Sequence, residues 1–342
     1  MSFVGNPDKI IRLIKALYKK SQSAVRVNGD ITDWFATTVG VRQGCVLSPQ
    51  LFNILLELVM LYAMEDVNVG ASINGYIINN LRFADDIVLM AETAKELQMM
   101  VNRVHQSCSK FGLKINIGKT EIQVINKHPI NLKIAINGHQ LNQVEEFTYL
   151  GGTISQQGQC SPDIKHRIGK ALGAMQMLAN IWRSKEISNA TKIELYRVLI
   201  LSILLYGAET WTIKKEDENR LLTFEMTCLR KILGVSRLDK IRNDTIRQSL
   251  GISTTIIDRV TKKRLRFFGH INRMITTRYP KIVFGSYTHG DRPRGRPAKR
   301  WDDCLKPDLK SRGIETLAEG TRIAQDRKIW QGFVEQKPSH RP

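Results

Sequence analysis

Apolar residues recur at helical spacing along most of the chain, and several of these stretches begin and end at residues typical of helix termini. Thr93 and Gly112 frame one such stretch, since Thr is a common N-cap and Gly commonly follows the last turn. The pattern predicts helices over 7–18, 93–111, 161–178, 191–206, 216–233 and 258–272, and a last helical segment over 301–309 and 317–333. A further helix is expected to begin at Ser48. Its buried face should consist of Leu51, Phe52, Ile54, Leu55, Leu58 and Val59.

Shorter apolar runs between these helices predict strands joined by tight turns. The dipeptides Asn28-Gly29 and Asn74-Gly75 suit type I′ hairpin turns. Further strands are expected over 113–116 and 121–125. The order of helices and strands predicts an α+β fold, in which helices cover one face of an antiparallel sheet.

The run Leu81–Met90 has β-favouring residues on both sides of Asp85-Asp86 and predicts a hairpin with two carboxylates at its tip. Adjacent carboxylates in a buried sheet repel each other and lose hydration, so they need a compensating charge. The natural compensator is a hard divalent cation such as Mg²⁺, which prefers oxygen ligands. The alternative is a solvated hairpin turn, because Asp is common in turns.

The 342 residues carry a net charge of +20, and the excess is concentrated in the last quarter. Residues 261–342 contain twenty Lys and Arg but eight Asp and Glu. Such a field favours a nucleic acid over a membrane, since no apolar run approaches the ~20 residues that span a bilayer. A basic surface that only keeps the protein soluble is the alternative. The five scattered cysteines have no zinc-ligand spacing and favour a reducing compartment, nuclear or cytoplasmic.

Three further motifs combine glycine with polar or cationic residues. Gly40–Phe52 contains Arg42, Gln43 and Gly44, followed by the helix that Ser48 is expected to cap. The Arg42 and Gln43 side chains can donate hydrogen bonds to a phosphate or a base, and the glycines let a backbone approach a ligand closely. A loop that only caps the helix is the simpler interpretation. Gly112–Asn116 is followed by Lys119-Thr120, and Phe147–Gly151 contains Tyr149, Leu150 and Gly151.

Together with the Asp85-Asp86 hairpin, these make four motifs, and in their order along the chain they resemble the motifs of reverse transcriptases. Their combination is similar to the LINE-type enzymes of non-LTR retrotransposons. Gly40–Phe52 resembles the nucleotide-site motif and Phe83–Asp86 the catalytic metal-binding box. Gly112–Asn116 with Lys119 resembles the lysine-bearing motif that follows, and Phe147–Gly151 resembles the primer-grip hairpin. Gly207–Trp211 is similar to a motif of the LINE thumb.

The resemblance implies nucleotidyl transfer, in which a DNA primer on an RNA template attacks a dNTP with the help of two Mg²⁺ ions, Mn²⁺ being a substitute. It implies that Asp85 and Asp86 hold metal and that Arg42, Gln43 and Gly44 contact the nucleotide. Tyr149, Leu150 and Gly151 would grip the primer. Lys119 would neutralise the leaving pyrophosphate, the alternative being a solvated surface lysine.

The departures from the family are as informative as the matches. The family's metal site needs a further aspartate on a strand expected just before the helix near Pro7, and neither that strand nor the fingers are expected in this chain. Asp8, Asp30 and Asp33 do not occupy a palm strand. We therefore predict that the chain alone does not polymerise DNA, and that either another chain covers its open palm edge or the protein is prone to aggregate. A non-catalytic RNA- or DNA-binding protein derived from the same element is the alternative.

The resemblance and the charge predict three regions: a partial palm over 1–155, a helical thumb over 156–236 and a basic region over 237–342. In the thumb, Ile164, Ile168, Leu172, Met175 and Leu178 should face inward, Arg167 should face solvent, and the aromatic residues Trp182, Tyr196, Tyr206 and Trp211 should lie in the core. In the basic region, nucleic acid is expected to contact Lys262, Lys263, Arg264 and Arg266, an AT-hook-like segment with Arg294, Gly295 and Arg296, and Lys299 and Arg300.

Overall fold

The computed structural model describes residues 5–126, 130–286 and 299–336. The chain forms two compact units, the first within Met1–Thr120 and Leu132–Asn142 and the second within Glu121–Asn131 and Gln143–Pro342. The three-region division at 155 and 236 stays a prediction.

The helices follow one another as α1 (Asp8–Tyr18), α2 (Ser48–Met64), α3 (Ala94–Lys110), α4 (Ser161–Met177), α5 (Ala179–Arg183), α6 (Asn189–Leu195), α7 (Leu201–Leu204), α8 (Lys215–Leu233), α9 (Asn243–Ser249), α10 (Ile256–Asn272), α11 (Tyr279–Gly285), α12 (Trp301–Lys310), α13 (Leu317–Ile323) and α14 (Arg327–Glu335). The strands are β1 (Gln22–Ser23), β2 (Arg26–Val27), β3 (Asp30–Ile31), β4 (Phe35–Ala36), β5 (Ala71–Ile73), β6 (Tyr76–Ile78), β7 (Asn80–Phe83), β8 (Asp86–Leu89), β9 (Glu121–Gln123), β10 (Ala135–Ile136), β11 (His139–Gln140), β12 (Asn142–Val144), β13 (Glu146–Tyr149) and β14 (Gly152–Ser155).

The mixture of helices and strands is α+β, as predicted, but the strands do not join into one antiparallel sheet. The described strands form separate pairs: β1–β4, β2–β3, β5–β6, β7–β8, β9–β12, β10–β11 and β13–β14. Each strand has only two to four residues, so most close a local hairpin. The strand expected over 113–116 is absent from the described chain, because Leu113 and Ile115 pack against the helices instead.

The core of the first unit lies where α2 packs on α3. Leu56, Val59, Met60 and Ala63 of α2 are buried, and the Ser107 hydroxyl of α3 donates a 2.7 Å hydrogen bond to the Val59 carbonyl oxygen. The predicted inner face of α2 is therefore confirmed at Val59 and in part at Phe52, which packs against this core. Leu51, Phe52, Ile54, Leu55 and Leu58 are only half-buried, because the α3 contact selects a neighbouring stripe of this almost wholly apolar helix.

The second unit is mainly helical and contains two apolar cores. The larger one joins α4 to α10, and the smaller one joins α10, α12 and α14. The predicted burial of Trp182, Tyr196 and Trp211 is confirmed, but Tyr206 is 52% exposed. On α4, Arg167 is buried and Leu172 is exposed, contrary to the prediction, because Ala171 and Ala174 supply the inner face with Ile164 and Met175.

Helix ends follow the sequence closely. Thr93 and Glu96 form a reciprocal capping box at α3, and Gly234 ends α8 with a φ of 76°. The helix predicted from Thr191 begins at Asn189, because the Ser188 hydroxyl accepts the Thr191 amide, and it runs through a π-helical segment over Tyr196–Ile200. No helix in the described residues combines the length and apolarity required to span a bilayer.

Candidate functional site

Asp85 and Asp86 lie at the tip of the β7–β8 hairpin, as the sequence predicts. Phe83 pairs with Asp86 across the strands, and Ala84 begins the turn with a φ of 50°. Both aspartates are exposed, so the expectation of carboxylates buried in a sheet was wrong. Among the described strands, β7 and β8 pair only with each other. Within the described chain, neither carboxylate takes part in a side-chain hydrogen bond or ion pair.

The two carboxylates match part of what Mg²⁺ requires. They offer hard oxygen ligands, and Mg²⁺ often binds one or two carboxylates together with substrate phosphates. The described residues contain no group of three or more acidic, His or Cys side chains that could hold a metal ion. The donor set therefore suits one ion shared with phosphates and does not suit a protein-held pair of ions.

Arg42, Gln43 and Gly44 lie in the exposed turn before α2. The Arg42 guanidinium donates to the Ser21 hydroxyl at 2.9 Å, and the Ser48 hydroxyl donates to the Arg42 carbonyl oxygen at 2.7 Å. The prediction that Ser48 caps α2 was therefore wrong, since its hydroxyl is used to hold the turn. Gly44 has a φ of 83°, which a side chain would strain.

A shallow groove adjoins this turn. Arg42 lines it with Gln22, Ser23 and Trp34, and the Trp34 side chain is 66% exposed. Sequence reasoning noticed neither Gln22 nor Ser23, because neither belongs to a motif. Hydrogen bonds from the Leu47 amide and from Ser48 lower the pKa of the nearby Cys45 thiol.

Lys119 ends a 3₁₀ turn over Ile117–Lys119, and its amide donates to the Asn116 side chain at 3.2 Å. Its side chain is exposed. In the described part of the chain, no ion pair joins this ammonium group to Asp85 or Asp86. Its role in the reaction stays a prediction.

Tyr149, Leu150 and Gly151 form the tip of the β13–β14 hairpin. Leu150 and Gly151 have φ values of 49° and 81°, so both central residues adopt the left-handed conformation of a type I′ turn. The Arg167 guanidinium donates a hydrogen bond to the Gly151 carbonyl oxygen. The Tyr206 hydroxyl donates a 2.9 Å hydrogen bond to the Leu150 carbonyl oxygen. The same guanidinium lies 4.5 Å above the Tyr206 ring.

A buried carboxylate continues this network into the helices. Asp163 accepts the Thr153 amide of β14 at 2.9 Å and the Trp211 indole N–H at 2.8 Å, and Arg167 lies 3.8 Å away. Sequence reasoning missed Asp163 and the structural use of Arg167. The one available signal was the i, i+4 spacing of opposite charges on α4.

The cations predicted on α10 are engaged within the protein. Lys262 pairs with Glu335 at 2.7 Å, Arg266 pairs with the same carboxylate, and Lys263 pairs with Glu209 at 3.6 Å. These two bonds from Lys262 and Arg266 lower the pKa of Glu335.

Arg264 differs from its neighbours because its guanidinium is buried. It pairs with Asp308 of α12 at 2.5 Å and donates to the Trp211 carbonyl oxygen at 3.1 Å. Its placement on a solvent-facing cationic side of α10 was therefore wrong. Nucleic-acid contacts by the α10 cations stay a prediction.

The remaining predicted cations are only partly described. The Lys299 ammonium donates to the Ile213 carbonyl oxygen at 3.0 Å, and the Arg300 amide donates to Asp303 at 2.9 Å as α12 begins. The AT-hook-like residues Arg294, Gly295 and Arg296 lie outside the described residues.

Comparison with known proteins bears on the resemblance that the motifs indicated. Residues 3–154 match the reverse transcriptase (RNA-dependent DNA polymerase) family. A transposon-derived protein of Caenorhabditis elegans is 28% identical over 271 residues, which are 77% of this chain and 97% of that protein. These matches confirm the resemblance to the reverse transcriptases of LINE-type, non-LTR retrotransposons.

Two of the relatives of this chain are much longer than the regions that match it. The Pol polyprotein of retrotransposable element R2DM from Drosophila melanogaster is 27% identical over 170 residues, 46% of this chain and 16% of that protein. The RNA-directed DNA polymerase of mobile element jockey from Drosophila funebris is 22% identical over 240 residues, 66% of this chain and 25% of that protein. The chain thus spans a quarter or less of these two relatives.

Proposed function

We propose that this chain is the template–primer-binding part of a reverse transcriptase, in which Asp85 and Asp86 supply one side of the metal site. The observation that carries this proposal is the exposed pair of carboxylates on the β7–β8 tip, within the residues that match the family. The expected partners are an RNA template, a DNA primer and a dNTP, by likeness to relatives named as RNA-directed DNA polymerases.

Asp85 and Asp86 would hold the metal ion, and the ion would supply positive charge to the phosphates of the nucleotide. The chain's own part is to offer two oxygen ligands, to hold the turn at Arg42 through Ser21 and Ser48, and to fix the Tyr149–Gly151 hairpin through Arg167 and Tyr206. Because the described acidic residues complete no larger ligand group, we propose that the 342 residues alone do not polymerise DNA. Loss of a catalytic group commonly costs about 10⁴-fold or more.

The test combines metal binding with primer extension. We expect Mn²⁺ to bind weakly to the wild-type chain, as followed by electron paramagnetic resonance, and we expect D85N/D86N to abolish that binding. The matched control is D30N/D33N, which removes two exposed carboxylates from the ends of a different hairpin.

The two halves of the proposal fail in different ways. Equal loss of Mn²⁺ binding in both double variants would contradict a metal site at the β7–β8 tip. Synthesis on an RNA template by the chain alone, abolished by D85N, would contradict the proposed inactivity.

A further inference from the structure

A cationic groove lies in the second unit, between α8, the loop that follows it, α9 and the start of α10. Four cations line it: Arg230, Arg237, Lys240 and Arg247. No acidic side chain lines it in the described part of the chain. Its volume of about 680 Å³ lies in the range of about 300–1,000 Å³ that is typical of ligand sites.

The four cations differ in how firmly they are held. Arg230 donates to the Asn243 side chain at 2.8 Å, and Arg247 pairs with buried Glu225 at 2.7 Å, so both are fixed in the groove wall. Arg237 and Lys240 are exposed, and no described residue forms a side-chain hydrogen bond or ion pair with either. These two are therefore available to an external anion.

This availability distinguishes the groove from α10. The four cations of α10 each form an ion pair with a carboxylate of the protein: Lys262, Lys263, Arg264 and Arg266. A phosphate would have to displace those carboxylates. At Arg237 and Lys240 a phosphate displaces only water and counterions, whose release favours binding.

The floor of the groove indicates what kind of polyanion fits. Leu222, Met226 and Ile241 contribute apolar surface between the cations. A duplex keeps its bases stacked inside and offers only backbone to such a floor, whereas a single strand can place a base on it while its phosphates meet the cations.

We propose that this groove binds a single-stranded segment of nucleic acid, with Arg237 and Lys240 on successive phosphates and an unstacked base against Leu222, Met226 and Ile241. The choice of nucleic acid rests on the proposed function; the location does not, because none of these residues belongs to a reverse transcriptase motif. Asp85 and Asp86 lie in the other unit.

The experiment measures fluorescence anisotropy of labelled U₂₀ RNA, dT₂₀ DNA and a 20-base-pair duplex with the full chain. We expect R237Q/K240Q to weaken single-strand binding about tenfold or more. The slope of log K against log salt should become shallower by about 1.4, since each lost phosphate contact contributes about 0.7 on single strands. The matched control is K306Q/R322Q, which removes two exposed, unpaired cations outside the groove.

Each outcome bears on the proposal. Loss in R237Q/K240Q but not in K306Q/R322Q supports it, and the stronger of the RNA and DNA responses then identifies the strand. Equal loss in both variants, unchanged binding in R237Q/K240Q, or tighter binding of the duplex overturns it. If the wild-type chain binds no nucleic acid at all, the proposed function fails as well.

Discussion

At the scale of single residues, Asp163 illustrates how one buried carboxylate connects a hairpin to a helical core. It accepts hydrogen bonds from the Thr153 amide and the Trp211 indole, and it faces the Arg167 guanidinium. We expect D163N to lower the free energy of unfolding by about 2–4 kcal/mol, because the amide puts a donor against a donor and leaves Arg167 without a counter-charge. Urea denaturation followed by tryptophan fluorescence measures this.

The control for that prediction is D244N. The Asp244 carboxylate is almost fully exposed and lies 3.8 Å from Arg247, so its removal should change stability by no more than about 0.5 kcal/mol. A D163N effect as small as that of D244N would mean that the hairpin is held by other contacts.

Residues whose hydrogen-bond partners are distant in sequence, as those of Asp163 are, are the ones that the sequence pattern places wrongly. Arg264 lies among lysines and arginines and reads as part of a basic face, but its partner Asp308 is distant in sequence and no local pattern announces the pair. Tyr206 reads as core because it ends an apolar run, yet its hydroxyl is needed at Leu150. The burial of Arg264 and Tyr206 is set by partners that are distant in sequence, and no pattern of neighbouring residues indicates those partners.

At the scale of elements, local chemistry explains what could be predicted. The turns at Asn28-Gly29 and Asn74-Gly75 need a left-handed backbone, which Asn and Gly adopt easily, so their hairpins follow from the sequence. The Leu150-Gly151 turn has the same backbone, but Leu does not predict it, and only the resemblance indicated that hairpin. The capping box at Thr93 also follows from local residues, because the Thr93 and Glu96 side chains accept each other's backbone amides at the start of α3. Whether hairpins then join into one sheet depends on contacts between distant strands, and that prediction failed.

Two helical glycines give opposite predictions for the same substitution. On α10, a Cβ at Gly269 would overlap the buried Trp330 ring, which donates to the Leu265 carbonyl oxygen and cannot turn away. We expect G269A to destabilise the protein by about 1–3 kcal/mol as overpacked cores do, despite the better helix propensity of Ala. Thermal or urea unfolding measures the change.

The matched variant is G173A on α4, where a Cβ would meet open space. Ala favours a helix over Gly by up to about 1 kcal/mol, so G173A should stabilise the protein by about 0.5–1 kcal/mol. Equal effects of the two substitutions would contradict the close packing of α10 against α14.

At the scale of the whole molecule, the two units differ in how well they bury their apolar surface. The second contains two cores built from long helices. In the first, α1 has no buried residue, although Ile10, Leu13 and Leu17 share one side of it and are each more than 40% exposed. An uncovered apolar stripe of this kind favours association. We therefore propose that a second copy of this chain covers α1; the open palm edge expected from the sequence is a separate prediction.

That proposal predicts concentration-dependent self-association of the isolated chain through α1. Sedimentation velocity should show a weight-average mass that rises with protein concentration, and L13K/L17K should reduce that rise because two charges on the stripe oppose burial. The control is M177K/I329K, which adds the same charge at two isolated apolar residues that are 82% and 62% exposed. If both variants reduce association equally, general charge repulsion explains the effect. A wild-type chain that stays monomeric at every concentration would show that α1 needs no cover.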